Sequence, residues 1–408
     1  MALIVQKHGG AAMADLDHLR ELARRALRTQ RAGNQVVVVV SALAGEVSRM
    51  HGLASALGPR PEAREQDVLA AAAGQAAAGL AALAVRAEGG HARSFTGRQA
   101  GIRTDSTHAG ARIRSVDGRG LRQALDRGEV AVVAGIQGED EGGEVTTLGP
   151  GGSDVAAVAV AAALGAGACE IHGRADGVHS ADPALCPSAR RLRRVTHEEL
   201  LELAGAGAGA PPIRAVELAM KQRVALWIGS SAGDEPGTLC GPEEEAMERP
   251  AVTAIASDRN TAKVALCGVS DRPGVAARVF APLAEAGIVV DLIVQNASRE
   301  GRTDVTFTVA KTDLARAKDV VESTLKAIGA EKIETDGGIG KVSIVGAGMK
   351  HHAGVAARAF EVMARAGINI ELISTSEIKI AMVVQERHLE RAVRELHAAF
   401  GLDAPPAR

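Results

Sequence analysis

The sequence predicts an α/β fold, with an open, mostly parallel sheet between layers of helices, followed by a smaller module that occurs twice. Ala2–Gln6 and the five valines of Val36–Val40 are apolar runs of strand length, typical of parallel strands that are buried on both faces. Helical segments and glycine-rich turns alternate with such runs, as in open α/β sheets. Because ligands of these sheets bind at the carboxyl ends of the strands, we expect the site at those turns.

The second half of the chain repeats itself at an offset of 80 residues (354 − 274). Gly274–Arg278 recurs as Gly354–Arg358, both with the sequence Gly-Val-Ala-Ala-Arg, and Phe280 recurs as Phe360. Each copy is predicted to form a βαββαβ unit, and two copies make a tandem pair rather than a solenoid. Edge strands of small sheets often pair with a second copy. We therefore expect a homodimer or a larger homo-oligomer.

The domain boundaries follow from a change in composition between the two halves. The stretch after residue 232 is rich in Gly, Pro and Glu, which is typical of a linker. We predict a first domain at 1–232, a linker at 233–260, and the two repeats at 261–338 and 339–402.

Composition restricts the class of function. Lys and Arg total 47 and Asp and Glu total 49 among 408 residues, and this balance argues against a nucleic-acid or anionic-membrane surface. The chain has no Tyr, one Trp and five Phe, which leaves little to stack on bases. Its four cysteines are far apart, which fits reduced thiols and gives no metal site. We expect a cytoplasmic protein with a small-molecule substrate and with no nucleic-acid or membrane partner.

The most informative stretch is Thr146–Asp154, a glycine-rich turn that leads into the apolar run Val155–Ala168. Glycines let backbone N–H groups approach a ligand closely. The start of a helix adds further N–H groups and the positive end of a dipole, so the turn suits an anion such as phosphate. From these residues alone, a purely structural turn remains an alternative.

Several motifs together resemble the aspartokinase family over the whole chain. They are Lys7–Gly10, 36–46, Ser94–Gly97, Ile136–Gly138, Thr146–Asp154, 181–183, 270–274, Val294–Asn296 and Ser374–Ile380. By this resemblance, the first part is an amino-acid-kinase domain and the repeats are a tandem pair of ACT regulatory domains. The resemblance also implies transfer of the γ-phosphoryl group of Mg-ATP to the side-chain carboxylate of aspartate, with feedback by lysine or threonine through the ACT pair.

The resemblance implies a role for each matching position. Lys7 would neutralise charge on the transferring phosphoryl group, and Asp154 would orient that lysine, as suits a reaction that depends on positioning and charge. Phosphate or nucleotide would contact Gly9, Gly10, Gly151, Gly152, Asp176, Asp182 and Pro183. An effector of the ACT pair would contact Asp271, Gln295, Asn296, Ser374 and Thr375.

The sequence departs from the family pattern where aspartate should bind. Residues 72–75 read Ala-Ala-Gly-Gln instead of Thr-Gly-Glu-Gln, which removes the glutamate expected to bind the substrate ammonium. Pro150 replaces the arginine expected to bind the α-carboxylate, and proline cannot replace a guanidinium fork. Losing one partner of a buried charge pair costs about 2–5 kcal/mol. In the nucleotide region, Gly173-Arg174 replaces Thr-Asp and Ala184 replaces an arginine.

These departures favour a repurposed enzyme among three functions. Such an enzyme would act on a bulkier, less polar substrate. It need not use ATP, and Mg-ATP would be its cofactor only if kinase activity is retained. Lys7, His8 and Asp154 would supply acid–base or amine chemistry. The substrate would contact Ser41, Ala72, Gly74, Gln75, Pro150, Ser153 and Arg174.

The second function is an ordinary aspartate kinase that uses Mg-ATP and is regulated through the ACT pair. The third is a non-catalytic subunit that senses an amino acid, and Met247 could start a separate regulatory subunit. Two simpler explanations stand beside the first function. The alanines could reflect drift in an Ala-rich chain, and His8, His172 and His179 could be plain polar substitutions where the family often has tyrosine.

Overall fold

The chain divides into two units in the computed structural model. The first contains Met1–Val178, Arg191–Gly205 and Gly209–Ala246, and the second contains His179–Arg190, Ala206–Ala208 and Met247–Arg408. The structure describes residues 2–173, 175–204, 210–232, 237–242, 251–297, 300–352 and 354–404.

Apolar strands form the centre of the first unit. They are β1 (Leu3–His8), β2 (Gln35–Val40), β3 (Ala92–Phe95), β4 (Ile102–Thr104), β5 (Ile113–Val116), β6 (Val130–Ala134), β7 (Gln137–Glu139), β8 (Val145–Thr147), β9 (Ala168–Gly173), β10 (Arg194–Thr196), β11 (Leu226–Ser230) and β12 (Thr238–Gly241). Eight of them form one sheet in the order β10-β12-β11-β9-β1-β2-β6-β3. Neighbours in this sheet are parallel except β11 and β12. The predicted mostly parallel sheet is therefore confirmed.

Helices cover both faces of this sheet. They are α1 (Leu16–Arg31), α2 (Glu46–Leu57), α3 (Ala63–Ala87), α4 (Arg119–Asp126), α5 (Gly152–Leu164), α6 (His197–Ala204) and α7 (Ile213–Gln222). The Asp15 carboxylate caps α1 by accepting from the N–H groups of Asp17 and His18, which satisfies two donors that a helix start leaves free. Val36–Val40 are fully buried between the helix layers, as expected for a central parallel strand.

Helix α3 is the one helix in the described part of the chain that is long and apolar enough to cross a membrane. Half of its most apolar window is buried inside the protein. Its face bearing Ala77, Ala81 and Val85 packs in one core cluster with α1, β2 and β6. Small alanine side chains allow the helix to approach the sheet closely, so α3 acts as a core helix of this unit.

A second, four-stranded sheet carries the glycine-rich turn. Its order is β5-β4-β7-β8, and β8 leads through Leu148–Gly151 into α5. Gly151 caps α5 with a φ of 73°, and Gly165 ends the helix with a φ of 64°. The predicted glycine turn and buried Ala-rich helix are both present, and we call residues 148–153 the glycine loop.

The second unit contains two small sheets, one for each sequence repeat. Its strands are β13 (Ala254–Asp258), β14 (Ala262–Ser270), β15 (Val290–Gln295), β16 (Arg302–Val309), β17 (Lys332–Asp336), β18 (Ile339–Val345), β19 (Leu372–Thr375) and β20 (Lys379–Gln385). Its helices are α8 (Val275–Glu285), α9 (Leu314–Ile328), α10 (Val355–Arg365) and α11 (Glu386–Ala399). The sheet orders are β15-β16-β14-β17 and β19-β20-β18-β13.

The two repeats complete their sheets differently. In the first repeat, β17 follows α9 along the chain and pairs antiparallel with β14. In the second repeat, the equivalent position beside β18 is filled by β13, which precedes the first repeat in sequence. The predicted βαββαβ pair is present, and the second member takes one strand from far upstream.

The structure differs from the predicted linker at 233–260 in two places. Strand β12 of this stretch joins the large sheet, and β13 joins the second small sheet. Both are strands of only four or five residues. β13 pairs with the distant β18, and β12 pairs with the distant β10 as well as with the neighbouring β11. Composition and periodicity report local pattern, so they miss strands that are stabilised by distant pairing.

One segment from the first half of the sequence groups with the second unit. In His179–Arg190, the Ser180 carbonyl accepts from the Ile255 N–H at 2.7 Å. The Ser180 hydroxyl lies 2.9 Å from His397 Nε2 of α11, and Arg190 Nε donates to the Leu402 carbonyl at 2.7 Å. These bonds attach the segment to the second small sheet and its C-terminal helix.

Candidate active site

Lys7 lies near the carboxyl end of the central strand β1, between Val39 of β2 and Ile171 of β9. Its Nζ is 2.9 Å from Asp154 Oδ1, and the two residues are only 8% and 6% exposed. Asp154 stands in the first turn of α5, where the helix dipole favours an anion. Removing either partner would leave the other as an uncompensated buried charge, which is strongly destabilising. The structure therefore holds one lysine ammonium in a fixed position at the end of the sheet.

Gly9 allows two functional side chains to lie against the backbone after β1. A Cβ atom at this position would be 2.5 Å from Ser41 Oγ and 2.7 Å from Lys7 Nζ, closer than real Cβ contacts come. Ser41 follows β2, and its hydroxyl lies 2.7 Å from the hydroxyl of Ser153 in α5. The ends of β1 and β2 and the start of α5 thus meet at one point.

Two cavities flank this point. The first, which we call the lysine cavity, has a volume of about 500 Å³ and is lined by Lys7, Asp154, Ile171, Gly173, Ala175, Ile228 and Gly229, with residues 210–212. The second, which we call the serine cavity, has a volume of about 380 Å³. It is lined by Ser41, Val47, His51, Gln66, Asp67, Ala70, Ala109, Ile136, Thr147 and the glycine loop from Gly149 to Ser153.

The glycine loop requires glycine at its centre. Gly151 has a φ of 73°, in the left-handed region that residues with a Cβ rarely adopt. A Cβ there would also collide with the ring of Pro212. The glycine loop thus carries its backbone, without side chains at three positions, to the N-terminus of α5, an arrangement suited to an anion.

His8 points to the face of the sheet opposite Lys7, because successive strand residues alternate. Its ring stacks on His172 at 4.7 Å, and His172 in turn lies 5.3 Å from Trp227. Burial holds the pKa of His8 well below its ordinary value, assisted by the charges of His172, Arg25 and Lys7. His8 does not line either cavity, so the structure does not support its predicted role as an acid–base catalyst.

The residues of helix α3 that line the serine cavity differ from those predicted from the motif at 72–75. Ala72 and Gln75 are exposed, and Gln75 binds Gln137 at 3.0 Å. Gly74 is buried, and a Cβ there would meet Ile136 at 2.7 Å. The cavity is lined instead by Gln66, Asp67 and Ala70. The sequence could have indicated them, since positions 67, 70 and 74 share one helix face.

The predicted nucleotide residues beyond β9 are dispersed. Asp176 lies 3.5 Å from Arg191. Asp182 accepts from the Ala184 N–H at 2.9 Å, and with Pro183 it belongs to the segment that groups with the second unit. Neither cavity is lined by these residues. Arg174 and Met247 lie outside the described residues.

The predicted effector residues lie at the ends of two edge strands. Gln295 ends β15 and is followed by Asn296, whereas Ser374 and Thr375 end β19. The two edge strands lie beside each other, with Leu292 and Leu372 packed around Ile339 and Val383. Asp271 follows β14, and its N–H donates to the Gly301 carbonyl at 2.8 Å. In the described part of the chain, no group of His, Cys, Asp and Glu side chains is arranged to hold a metal.

Comparison with known proteins covers the chain from end to end. Residues 2–230 match the family model for the amino acid kinase family, and residues 263–326 and 342–400 match models for the ACT domain. The chain is 47% identical over 407 residues to an aspartokinase of Pseudomonas aeruginosa, covering 99% of both chains. It is 46% identical over 407 residues to an aspartokinase of Mycolicibacterium smegmatis, covering 98% of this chain and 97% of that protein.

Solved structures agree with these relatives. A crystal structure of aspartate kinase from Synechocystis covers 100% of this chain, with 38% identity and a TM-score of 0.56, and the match covers 70% of that chain. E. coli aspartokinase III in complex with aspartate and ADP matches with a TM-score of 0.80 and 24% identity over 97% of this chain and 99% of that one. The second likeness shows a shared fold.

These relatives overturn the function that the sequence favoured. Proteins named aspartokinase match this chain over its whole length at 46–47% identity, so the interpretation as a repurposed enzyme with an apolar substrate is wrong. That interpretation gave too much weight to a few substituted positions. Two of them, Ala72 and Gly74, do not line the serine cavity. The chain belongs to the aspartokinase family of transferases, in which an amino-acid-kinase domain is joined to two ACT domains.

Proposed function

We propose that this protein is an ATP-dependent aspartate kinase, which transfers the γ-phosphoryl group of Mg-ATP to the side-chain carboxylate of aspartate. The observation that carries this proposal is the match, 47% identical over 99% of both chains, to a protein named aspartokinase. A match of that length includes the kinase domain as well as the ACT pair. It therefore favours a catalytic protein over a sensor subunit.

The charges around Lys7 support phosphoryl transfer. This reaction needs chiefly positioning and stabilisation of charge on the moving phosphoryl group. We assign the stabilisation to the Lys7 ammonium, which the Asp154 carboxylate holds at 2.9 Å. We assign phosphate binding to backbone N–H groups of Gly9, Gly10 and the glycine loop, where the absence of side chains permits close approach.

The two cavities support a division between the substrates. We assign Mg-ATP to the lysine cavity, with a volume of about 500 Å³, and aspartate to the serine cavity, with a volume of about 380 Å³. The hydroxyls of Ser41 and Ser153, which are 2.7 Å apart, would hold the aspartate side chain near the phosphoryl group. Holding two reactants in this way supplies much of the rate enhancement in such reactions.

Aspartate recognition differs from the family pattern at Pro150 and Gly74, because neither residue provides a charge. The polar side chains of the serine cavity are neutral apart from Asp67, whose oxygens already accept hydrogen bonds from Ala109 and Thr147. Neutral hydrogen bonds contribute less than charge-assisted ones. We therefore expect a high KM for aspartate.

We further propose feedback regulation by lysine or threonine at the ACT pair, through Asp271, Gln295, Asn296, Ser374 and Thr375. E. coli aspartokinase III has been solved in complex with lysine and aspartate, which supports an amino acid as the effector. Edge strands β15 and β19 carry the exposed apolar residues Ile293 and Ile373. A second copy of the chain would cover these exposed edges, and we therefore propose a homo-oligomer.

A hydroxylamine trap tests the kinase activity. The full-length protein is incubated with Mg-ATP, a high concentration of aspartate and hydroxylamine, and aspartyl hydroxamate is measured. We expect product from the wild-type protein and none from Lys7→Met. If the wild-type protein forms no hydroxamate and isothermal titration detects no Mg-ATP binding, the proposed function is wrong.

A further inference from the structure

The first turns of α3 contain a buried carboxylate that no motif indicated. Asp67 is 2% exposed, and a buried carboxylate is tolerated only when it is well hydrogen-bonded. Its Oδ1 accepts from the Ala109 N–H at 3.1 Å and from the Thr147 hydroxyl. Its Oδ2 accepts from the Thr147 N–H at 3.0 Å and lies 2.8 Å from His108 Nδ1. One side chain thus binds two separate loops.

The first of these loops presents Ala109 to the serine cavity in a strained conformation. Ala109 has a φ of 62°, which is uncommon for a residue with a Cβ and persists only where surrounding bonds enforce it. Its carbonyl oxygen lies 2.8 Å from the position that a Cβ on Gly149 would occupy. The Ala109 turn therefore packs directly against the glycine loop, and the bond from its N–H to Asp67 helps to hold it there.

The second loop begins at Thr147, the last residue of β8. Thr147 binds Asp67 through both its N–H and its hydroxyl, and its carbonyl accepts from the Ala111 N–H at 2.8 Å. Leu148 and Gly149 follow directly. The position of Thr147 therefore determines where the glycine loop starts.

We propose that Asp67 is a positioning residue for the substrate site. Its carboxylate holds the Ala109 turn and the start of the glycine loop at a fixed separation, so that the serine cavity keeps the shape that receives the substrate. Asp67 acts through these backbone groups and does not take part in the reaction. The effect on the KM for aspartate that we expect below rests on the proposed aspartate kinase activity.

The test is Asp67→Asn, which conserves shape and replaces one acceptor oxygen with an NH₂ group. In either orientation the amide leaves a single acceptor oxygen, and it replaces the charge-assisted bonds from the Ala109 and Thr147 N–H groups with weaker neutral ones. We expect the KM for aspartate to rise about tenfold, the change that corresponds to about 1.4 kcal/mol, while the KM for Mg-ATP stays within about twofold. A merely structural role would lower the melting temperature without this separation of the two KM values.

The matched control is Asp105→Asn. Asp105 also accepts backbone N–H bonds, from Thr107 and Arg112, in the loop next to Ala109, but it does not line the serine cavity. We expect its aspartate KM to equal that of the wild-type protein. An equal rise in the control and in Asp67→Asn would overturn the proposal.

A second pair of variants covers the case in which Asp67→Asn does not fold. Thr147→Val removes the hydroxyl that binds Asp67, and Thr147→Ser keeps it. We expect a raised aspartate KM in Thr147→Val and a clearly smaller rise in Thr147→Ser. Equal KM values in the two would contradict the proposal.

Amide hydrogen exchange tests the same inference without catalysis. Faster exchange in residues 105–112 and 147–152 of Asp67→Asn or Thr147→Val, compared with the wild-type protein and Thr147→Ser, supports the positioning role. Unchanged exchange overturns it. A wild-type protein that forms no aspartyl phosphate would refute the kinase proposal alone, and the exchange comparison would then decide the role of Asp67.

Discussion

The lysine cavity and the serine cavity flank the point where Lys7, Gly9 and Ser41 come together, yet their polar groups are held by different means. The lysine cavity contains a buried ion pair, with Lys7 on a central strand and Asp154 on a buried helix. The serine cavity has one carboxylate, Asp67, whose oxygens are held by hydrogen bonds to neighbouring loops, and is otherwise lined by hydroxyls, an amide, an imidazole and apolar or small residues. Charge on rigid elements is costly to lose because a partner is left unpaired. Groups on loops can be exchanged at lower cost, as at Pro150 of the glycine loop, where this chain departs from its family pattern.

Removal of the lysine tests the first half of this comparison and should have the largest effect. Lys7→Ala deletes the positive charge and leaves the Asp154 carboxylate facing the phosphates. We expect kcat to fall by about 10³-fold, in the range found when a group that stabilises the transition state is deleted. ADP release is the measurement, with the exposed Lys221→Ala as control. Retention of more than about a tenth of the activity would remove Lys7 from the mechanism.

Substitution of Gly9 tests whether the site depends on the close approach of Lys7 and Ser41 to the backbone at this position. The new methyl group of Gly9→Ala would displace Ser41 Oγ or Lys7 Nζ, which lie within 2.7 Å of its position. A misplacement of about 1 Å can cost about 10²-fold in rate, and we expect kcat to fall by about 10- to 100-fold. The control is Gly79→Ala, a helix position with open space around it. That variant should keep full activity and gain about 0.5–1 kcal/mol in stability.

Insertion of a charge into the serine cavity tests the second half of the comparison. Pro150 is exposed at the wall of this cavity, so Pro150→Arg can extend a guanidinium toward the aspartate α-carboxylate. We expect the KM for aspartate to fall about tenfold, since hydrogen bonds to charged groups contribute about 1.5–3 kcal/mol, with no change in the KM for Mg-ATP. Pro150→Lys should produce a smaller gain, because an ammonium lacks the planar fork. No gain in either variant would show that the α-carboxylate binds elsewhere.

The smallest predicted effect is a change in the pH dependence of stability through His8, which lies next to Lys7 in β1. His8 stays neutral in the folded protein because burial lowers its pKa. In the unfolded chain it has the ordinary pKa of a histidine and binds a proton when the pH falls below that value. Stability should therefore fall as the pH drops through about 6.5. His8→Phe should lose less stability than the wild-type protein between pH 7.5 and 5.5, by on the order of 1 kcal/mol. Urea unfolding at the two pH values measures this difference, and the exposed His91→Phe should behave like the wild-type protein.

Most of the fold could be predicted from the sequence because local sequence patterns indicate its elements. The valine runs, the glycine turn before α5 and the repeat at 274 and 354 each report one element or one module. The candidate site was predicted where a motif coincides with a strand or helix end, as at Lys7 and Asp154. It was missed at Asp67, whose partners Ala109 and Thr147 are 42 and 80 residues away in sequence. Pairing over such distances leaves no periodic signal.

The origin of β13 has a consequence for any shortened form of this protein. The first ACT repeat is nested inside the second, because β13 precedes it and β18 follows it while both belong to one sheet. A fragment that begins at residue 261 would lack β13 and would leave β18 with an open hydrogen-bonding edge, which invites aggregation. A fragment that begins at Met247 would include β13 and could close both sheets. The two ACT repeats therefore share one continuous stretch of polypeptide, which has to start before Ala254 for both sheets to be complete.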